Sequence, residues 1–216
     1  MRRHAVTLLA LTLALAALPR SAVAQAPLWS GVFAALADHR VNIGEGVERS
    51  SGTVLGAAVG VAWNKLQLEG SLAAGDLGAL NGNGVSRSMS EARLDASRAV
   101  RSWLVLHAGT VTRRYSSPLA AQRWVIARTG AEGRITFLDD ALVAGTLLTF
   151  DPVVSVSGTR RPNMSIGAST SLAYTAGRLS VRLAQSLERA DFPPRDGKPR
   201  LEQLSMLTLG VGWRLR

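Results

Sequence analysis

In the stretch MSIGASTSLAYTAGRLSVRLAQSLE, residues 164–188, apolar residues alternate with small or polar residues. Before the link AGR, apolar side chains such as Ile166 and Leu172 alternate with Ser, Gly and Ala. After the link, Leu179 and Leu183 alternate with Ser, Arg and Ala. Side chains of a β-strand point alternately to its two faces, so the stretch predicts a hairpin with one apolar and one small, polar face.

The same alternation recurs along the chain, and no segment after the N-terminus has the apolar period of an amphipathic helix. Ten candidate strands cover residues 28–39, 52–63, 66–76, 89–100, 103–113, 122–137, 141–150, 163–175, 179–189 and 203–215. Each is about as long as a tilted strand that crosses a bilayer. Strands this numerous and evenly spaced predict a closed barrel or a sandwich.

The connections between these strands distinguish the two architectures. Four connections are very short: Asn64-Lys65, Arg101-Ser102, Asp139-Asp140 and Ala176-Gly177-Arg178. They alternate with five longer polar connections, near residues 40–51, 77–88, 114–121, 151–162 and 190–202. Alternation of short turns and long loops is typical of transmembrane barrels. We therefore predict an all-β, antiparallel, up-and-down transmembrane barrel of ten strands. A barrel of eight strands is the alternative, because residues 103–113 and 122–137 alternate poorly.

The small face indicates which side of the barrel faces the lipid. Ser, Gly, Ala and Thr line the polar side of residues 53–63 and 163–175 almost without charge, which suits a crowded lumen better than a solvated surface. We expect Leu179, Val181, Leu183, Leu209 and Val211 on the outside. Aromatic residues near segment ends fit interfacial girdles, and they are Trp29, Trp63, Trp103, Trp124, Phe137, Phe150, Tyr174 and Trp213.

The N-terminus has the composition of an export signal. A basic start, MRRH, precedes the apolar run AVTLLALTLALAAL and the small residues AVA, Ala22 to Ala24. We predict cleavage before Gln25, giving a signal peptide over residues 1–24 and a barrel domain over residues 25–216. Removing Arg2, Arg3 and Arg20 lowers the net charge from +10 to +7. The chain has no cysteine, which excludes a lipoprotein anchor and disulfides.

The C-terminus, TLGVGWRL, resembles the β-signal of bacterial outer-membrane barrels. In that pattern a polar residue is followed by Gly and by alternating aromatic or apolar residues, here Thr208, Gly210, Trp213 and Leu215. The class usually ends on the final aromatic residue, whereas this chain ends in Leu215-Arg216. The resemblance implies a barrel in the outer membrane of a diderm bacterium. It also implies that periplasmic chaperones and the barrel-assembly machinery handle the chain.

Catalytic and cofactor motifs are weak in this sequence. Asp38-His39 lies at the outer end of the first strand, where omptin-type proteases keep an Asp/His site, but their Asp-x-Asp and Asp-x-His pairs are absent. His107 lacks the following Ser that would suggest a lipid A hydrolase or acyltransferase. No phosphate loop, zinc spacing or nucleophile elbow occurs. We expect no cofactor, no metal site and no catalytic residue, and we interpret Asp139-Asp140 as a tight turn.

Charged residues on the inward face form the candidate lumen set. They are Glu69, Arg93, Asp95, Arg128, Glu132, Arg134, Arg182 and Glu188. Charges enclosed by a narrow barrel need partners or water, so we expect ion pairs that plug the lumen. A narrow charged channel is the alternative.

Basic residues are also frequent in the predicted outer connections. Arg113-Arg114 and Arg160-Arg161 are candidate ligands for lipopolysaccharide phosphate, because guanidinium groups bind phosphate through two hydrogen bonds. Solvated loop arginines are the alternative.

The sequence thus predicts a small, non-enzymatic structural or surface barrel with a plugged lumen. The chain is expected to be a monomer among outer-membrane lipids, including lipopolysaccharide, and not to bind nucleic acid. The alternatives are a narrow transport pore, an outer-membrane enzyme acting on lipid or peptide, and a soluble periplasmic barrel or sandwich.

Overall fold

The ten predicted strands form one closed antiparallel barrel. The computed structural model describes residues 27–80, 85–118, 120–195 and 197–215, so the predicted signal peptide lies outside the described residues. The strands are β1 Leu28–Ile43, β2 Gly46–Trp63, β3 Leu66–Ala79, β4 Arg87–Arg101, β5 Leu104–Ser116, β6 Ala121–Phe137, β7 Leu142–Val156, β8 Met164–Ala176, β9 Leu179–Arg195 and β10 Lys198–Arg214. Each strand pairs with its sequence neighbours, and β1 closes the barrel on β10. The ten-stranded prediction is confirmed, and eight strands are excluded.

The first and last strands, β1 and β10, pair without a shift in register. Val32 lies opposite Val211, and Leu36 lies opposite Leu207. This pairing removes the exposed edges that an open sheet would leave. Because β10 is part of the barrel wall, its apolar side chains alternate like those of the other strands. Within the described residues, no helix is long and apolar enough to span a membrane.

Most of the strands reach further toward the outer end than the sequence pattern predicts. Of the five connections expected to be long, two shrink to tight hairpins around Gly44 and Gly197, both with positive φ. The connection between Ser116 of β5 and Ala121 of β6 is also short, and Ser117 donates its N–H to the carbonyl of Ala120. Residues 151–162 were predicted to be a longer polar connection, yet β7 continues through Asp151 and Pro152 to Val156 by way of a β-bulge. Proline lacks the N–H of a ladder bond, and a bulge accommodates it without ending the strand.

The apolar face points outward. Leu179, Val181, Leu183, Leu209 and Val211 are all among the exposed large hydrophobic residues, as are most of the alternating leucines and valines. The inward face carries small residues and charges, so the barrel is inside out relative to a soluble protein.

Two of the aromatic residues assigned to the girdles lie inside instead. Trp124 is buried in the lumen, and the ring of Trp29 lies against Gly60, where a Cβ would overlap it. Phe33 lies against Gly56 in the same way. The glycines of β2 therefore make room for aromatic rings that fill the periplasmic half of the lumen.

Candidate functional site

The centre of the lumen holds a network of buried ion pairs. Arg113 of β5 donates from Nε to Glu91 Oε2 on β4 at 2.7 Å, and its Nη2 lies 2.8 Å from Glu188 Oε2 on β9. Arg93 Nη2 donates to Glu91 Oε1 at 3.1 Å and lies 3.6 Å from Glu188. These side chains come from strands that do not all neighbour one another, so they bridge the lumen.

Arg128 of β6 completes this central cluster. It donates from Nε and Nη2 to the two carboxylate oxygens of Asp151, at 2.7 and 3.2 Å, and from Nη1 to Glu188 Oε1 at 2.7 Å. Ser165 of β8 donates to Asp151 Oδ2 at 2.7 Å. Three arginines thus face three carboxylates, so the cluster is balanced in charge.

The β-bulge in β7 places Asp151 in this cluster. The β6–β7 register shifts between Ala127 and Thr129, opposite Asp151 and Pro152. Both Pro152 and Val153 then face outward while Asp151 and Val154 are buried inside. An irregularity that the sequence suggests is a loop therefore positions a lumen carboxylate.

A second cluster, centred on His107, lies closer to the periplasmic end. Its Nδ1 is 3.0 Å from Asp95 Oδ1 and its Nε2 is 2.9 Å from Glu132 Oε2. A carboxylate can only accept, so both ring nitrogens donate when both carboxylates are ionised, which requires the imidazolium form. Arg134 Nη2 donates to Glu132 Oε2 at 2.7 Å. The four groups then carry two positive and two negative charges.

A third cluster lies at the outer end of the lumen around His39. His39 stacks on Tyr115, with ring centroids 4.3 Å apart, and its Nε2 lies 3.5 Å from Glu202 Oε2. Its Nδ1 faces Arg87 Nη1 at 3.3 Å. Asp38, the neighbour of His39 in sequence, lies on the opposite face of β1, where it binds Arg40 and Arg49. The two residues therefore do not form one site.

Apolar side chains pack between and around the outer charges. The buried lumen cluster includes Trp124, Ile126, Val154, Phe192 and Leu204. Trp124 and Phe192 meet edge to face, with centroids 5.7 Å apart. This packing leaves a cavity of only about 20 Å³ between His39 and Trp124.

The structure brings six of the eight predicted lumen charges into ion pairs and leaves two apart. Arg93, Asp95, Arg128, Glu132, Arg134 and Glu188 belong to the clusters above. Glu69 and Arg182 make no direct ion pair with any side chain in the described ranges, and Arg182 is exposed at the periplasmic side.

Sequence reasoning missed Glu91, Arg113, Asp151, His39 and Glu202 as lumen residues. Arg113 was assigned to an outer connection as a phosphate ligand, but it is buried inside with only 4% of its side chain exposed. That assignment is wrong because β5 continues to Ser116. The predicted strand, residues 103–113, already ended on Arg113, and the alternation from Val105 puts Arg113 inside and Arg114 outside.

The remaining candidate residues lie at the outer end of the barrel and along β10. Arg114, Arg160 and Arg161 are exposed at the outer end, and Arg161 donates to the carbonyl of Pro152 at 2.5 Å. In β10, Thr208 and Gly210 face the lumen and Trp213 faces outward, while Leu215 follows the strand and donates its N–H to Leu28. In the part of the chain that the structure describes, no group of three or more His, Cys, Asp or Glu side chains could hold a metal ion.

Comparison with known proteins supports the fold. No protein-family model and no curated protein sequence match the chain. Among solved structures, the outer membrane protease OmpT from Escherichia coli matches with a TM-score of 0.65 and 9% identity, over 88% of this chain and 97% of that chain. The translocator domain of the autotransporter NalP from Neisseria meningitidis gives 0.49 and 12%, over 88% of each chain. Neisserial surface protein A gives 0.41 and 10%, over 87% and 97%.

At 9% identity, the likeness to OmpT shows the fold and does not assign an enzymatic activity to this chain. The chain thus has the fold of the bacterial outer-membrane β-barrels, which confirms the predicted class of fold. That fold indicates a location in a bacterial outer membrane.

Proposed function

We propose that the protein is a non-enzymatic structural or surface barrel whose lumen is closed to ions. The observation that carries this proposal is the balanced cluster of Arg93, Arg113, Arg128 and their three carboxylates at the centre of the lumen. Buried charges that are all paired hold their positions, because releasing one leaves its partners unpaired in a low dielectric. A mobile ion would have to break these pairs to pass.

The space left in the lumen also supports closure. A cavity bordered by Arg93, His107 and Arg128 has a volume of about 60 Å³. A cavity bordered by His39 and Tyr115 has a volume of about 20 Å³. Such volumes hold a few water molecules at most, which does not make a continuous aqueous path.

The positions of the histidines argue against hydrolytic chemistry in the lumen. A general base needs a free ring nitrogen within reach of a nucleophile. Both nitrogens of His107 face carboxylates, and those of His39 face Glu202 and Arg87. An activity that survives in both His39→Ala and His107→Ala would not use these residues, whereas a loss in either would favour the enzyme alternative.

Single-channel recording tests the proposal directly. The refolded barrel is added to a planar bilayer, and we expect no stepwise conductance. The matched variant replaces Glu91, Arg113, Arg128 and Glu188 together with Ser, which removes two charges of each sign and should open steps. Heat-modifiability on a gel verifies that both proteins are folded. Reproducible steps from the unmodified barrel would overturn closure and favour the narrow pore.

Biogenesis forms part of the same proposal. We infer that residues 1–24 are removed as an export signal, that periplasmic chaperones carry the chain, and that the barrel-assembly machinery recognises Thr208, Gly210, Trp213 and Leu215. The outward face of β10, which carries Trp213, supports this reading of the C-terminus. Mass analysis of the protein from outer-membrane fractions should give an N-terminus at Gln25.

A further inference from the structure

Two arginines lie directly opposite one another on the outside of the barrel. Arg114 of β5 pairs in register with Arg123 of β6, and both side chains are exposed on the outward face. Neither makes an ion pair with any acidic side chain in the described ranges. Like charges directly opposite on neighbouring strands destabilise a sheet. An anionic group from outside the chain would offset the repulsion between the two arginines.

A second arginine pair in the same barrel shows the compensated arrangement. Arg40 of β1 lies opposite Arg49 of β2, also on the outside. Asp38 binds both, at 3.0 Å from Arg40 Nη2 and 2.7 Å from Arg49 Nη2. The chain thus supplies an acid to one opposed pair and none to the other.

The height of Arg114 and Arg123 on the wall matches a lipid headgroup. A strand tilted by about 40° rises about 2.5 Å per residue along the barrel axis. Ten residues separate Arg114 from Leu104 at the periplasmic end of β5, which places its Cα about 25 Å up the wall. The apolar band of such barrels is about 25 Å tall, so Arg114 lies at its outer boundary, with Arg123 opposite it in register on β6.

A shallow groove extends from Arg114 across β4 and β3 to β2 on the lipid-facing wall. Its floor consists of the small side chains Ala74, Ser90, Ala92 and Thr112, and its volume is about 470 Å³. Leu55 and Leu72 border it. A groove of small residues beside a cation can take an acyl chain whose headgroup carries phosphate.

We propose that Arg114 and Arg123 bind a phosphate of lipopolysaccharide, with one of its acyl chains in this groove. That height lies in the outer leaflet when the turns that follow β2, β4, β6 and β8 face the periplasm, so the inference rests on the membrane placement but not on lumen closure. Two guanidinium forks across a strand pair can hold one phosphate through several charge-assisted hydrogen bonds. The site keeps Arg114 from the sequence-based hypothesis, replaces Arg113 by Arg123, and does not need Arg160 or Arg161.

Binding of the purified barrel to lipopolysaccharide micelles, measured over a range of salt concentrations, tests the site. Arg114→Gln/Arg123→Gln should weaken binding by about tenfold or more and flatten the salt dependence. The matched control, Arg40→Gln/Arg49→Gln, removes the same charge from a pair about 5 Å higher on the wall and should change affinity less than about threefold. Equal losses in the two variants, or no loss in either, would overturn the site.

Further binding measurements distinguish the contribution of the phosphate from that of the acyl chain and identify the lipid. Dephosphorylated lipopolysaccharide should bind the unmodified barrel and Arg114→Gln/Arg123→Gln equally. Filling the groove with Ala92→Phe should weaken binding and leave the salt dependence unchanged. Equally tight binding to phosphatidylglycerol vesicles would refute lipopolysaccharide as the ligand. None of these readouts depends on conductance, so the site and lumen closure can fail separately.

Discussion

The substitution Arg128→Met should destabilise the barrel more than any loss of a surface charge. Methionine keeps an unbranched side chain as far as the position of Nε and removes three hydrogen bonds, two to Asp151 and one to Glu188. Glu188 retains Arg113 at 2.8 Å, but Asp151 retains only the hydroxyl of Ser165. The side chain of Asp151 is 1% exposed, so one carboxylate becomes a buried, unpaired charge.

The expected magnitude follows from that single orphaned charge. Breaking a buried ion pair by removing one partner costs about 3–5 kcal/mol. With a urea dependence of about 2 kcal/mol per molar, the unfolding midpoint should fall by about 1.5–2.5 M. The double variant Arg128→Met/Asp151→Asn removes the orphaned charge and should recover much of this loss.

Urea titration of barrels refolded into lipid vesicles, followed by tryptophan fluorescence and heat-modifiability, measures the effect. Arg182→Met is the control, because Arg182 also faces inward but is exposed and makes no ion pair with a described residue. It should change the free energy of unfolding by less than about 0.5 kcal/mol. Similar midpoints for Arg128→Met and Arg182→Met would refute the view that the central cluster stabilises the closed lumen.

Three other perturbations examine the wall. Leu183→Arg puts a cation on the lipid face about 10 Å from the periplasmic end of β9, near the middle of the apolar band, and should cost about 2–4 kcal/mol in the same urea assay. Gly75→Val should cost about 1–3 kcal/mol in that assay, because a Cβ at Gly75 would overlap the carbonyl oxygen of Thr53; an unchanged midpoint would contradict the close approach of β2 and β3. Replacing Trp213 and Leu215 together with Ser should leave export intact but block insertion, seen as periplasmic degradation, whereas Trp103→Ser at a periplasmic turn should reach normal outer-membrane levels.

The local pattern of the sequence was enough to predict the architecture and the inside-out polarity. Period-two alternation depends only on the geometry of one strand, so it can be read without knowing any partner. The apolar side of residues 164–188 thus predicted the lipid face, and the short turns predicted where the chain reverses. The same parity places Arg113, the last residue of the predicted fifth strand, on the inner face.

The outer ends of the strands could not be predicted from local pattern. Beyond the apolar band both faces of a strand become polar, so the alternation fades while the backbone pairing continues. Asp151-Pro152 has the composition of a turn, yet the neighbouring β6 holds it in the sheet as a bulge. Cross-strand hydrogen bonding overrode the local preference there.

The grouping of the charges was decided by tertiary structure alone. Glu91, Arg113 and Glu188 meet only because closure of β1 on β10 curves the sheet until β4, β5 and β9 face one another across the lumen. The opposition of Arg114 to Arg123 depends on the register of one hairpin, in which a shift of one residue would turn one of them inward. Alternation along a strand specifies which face a side chain takes, whereas register and closure specify which side chain it meets.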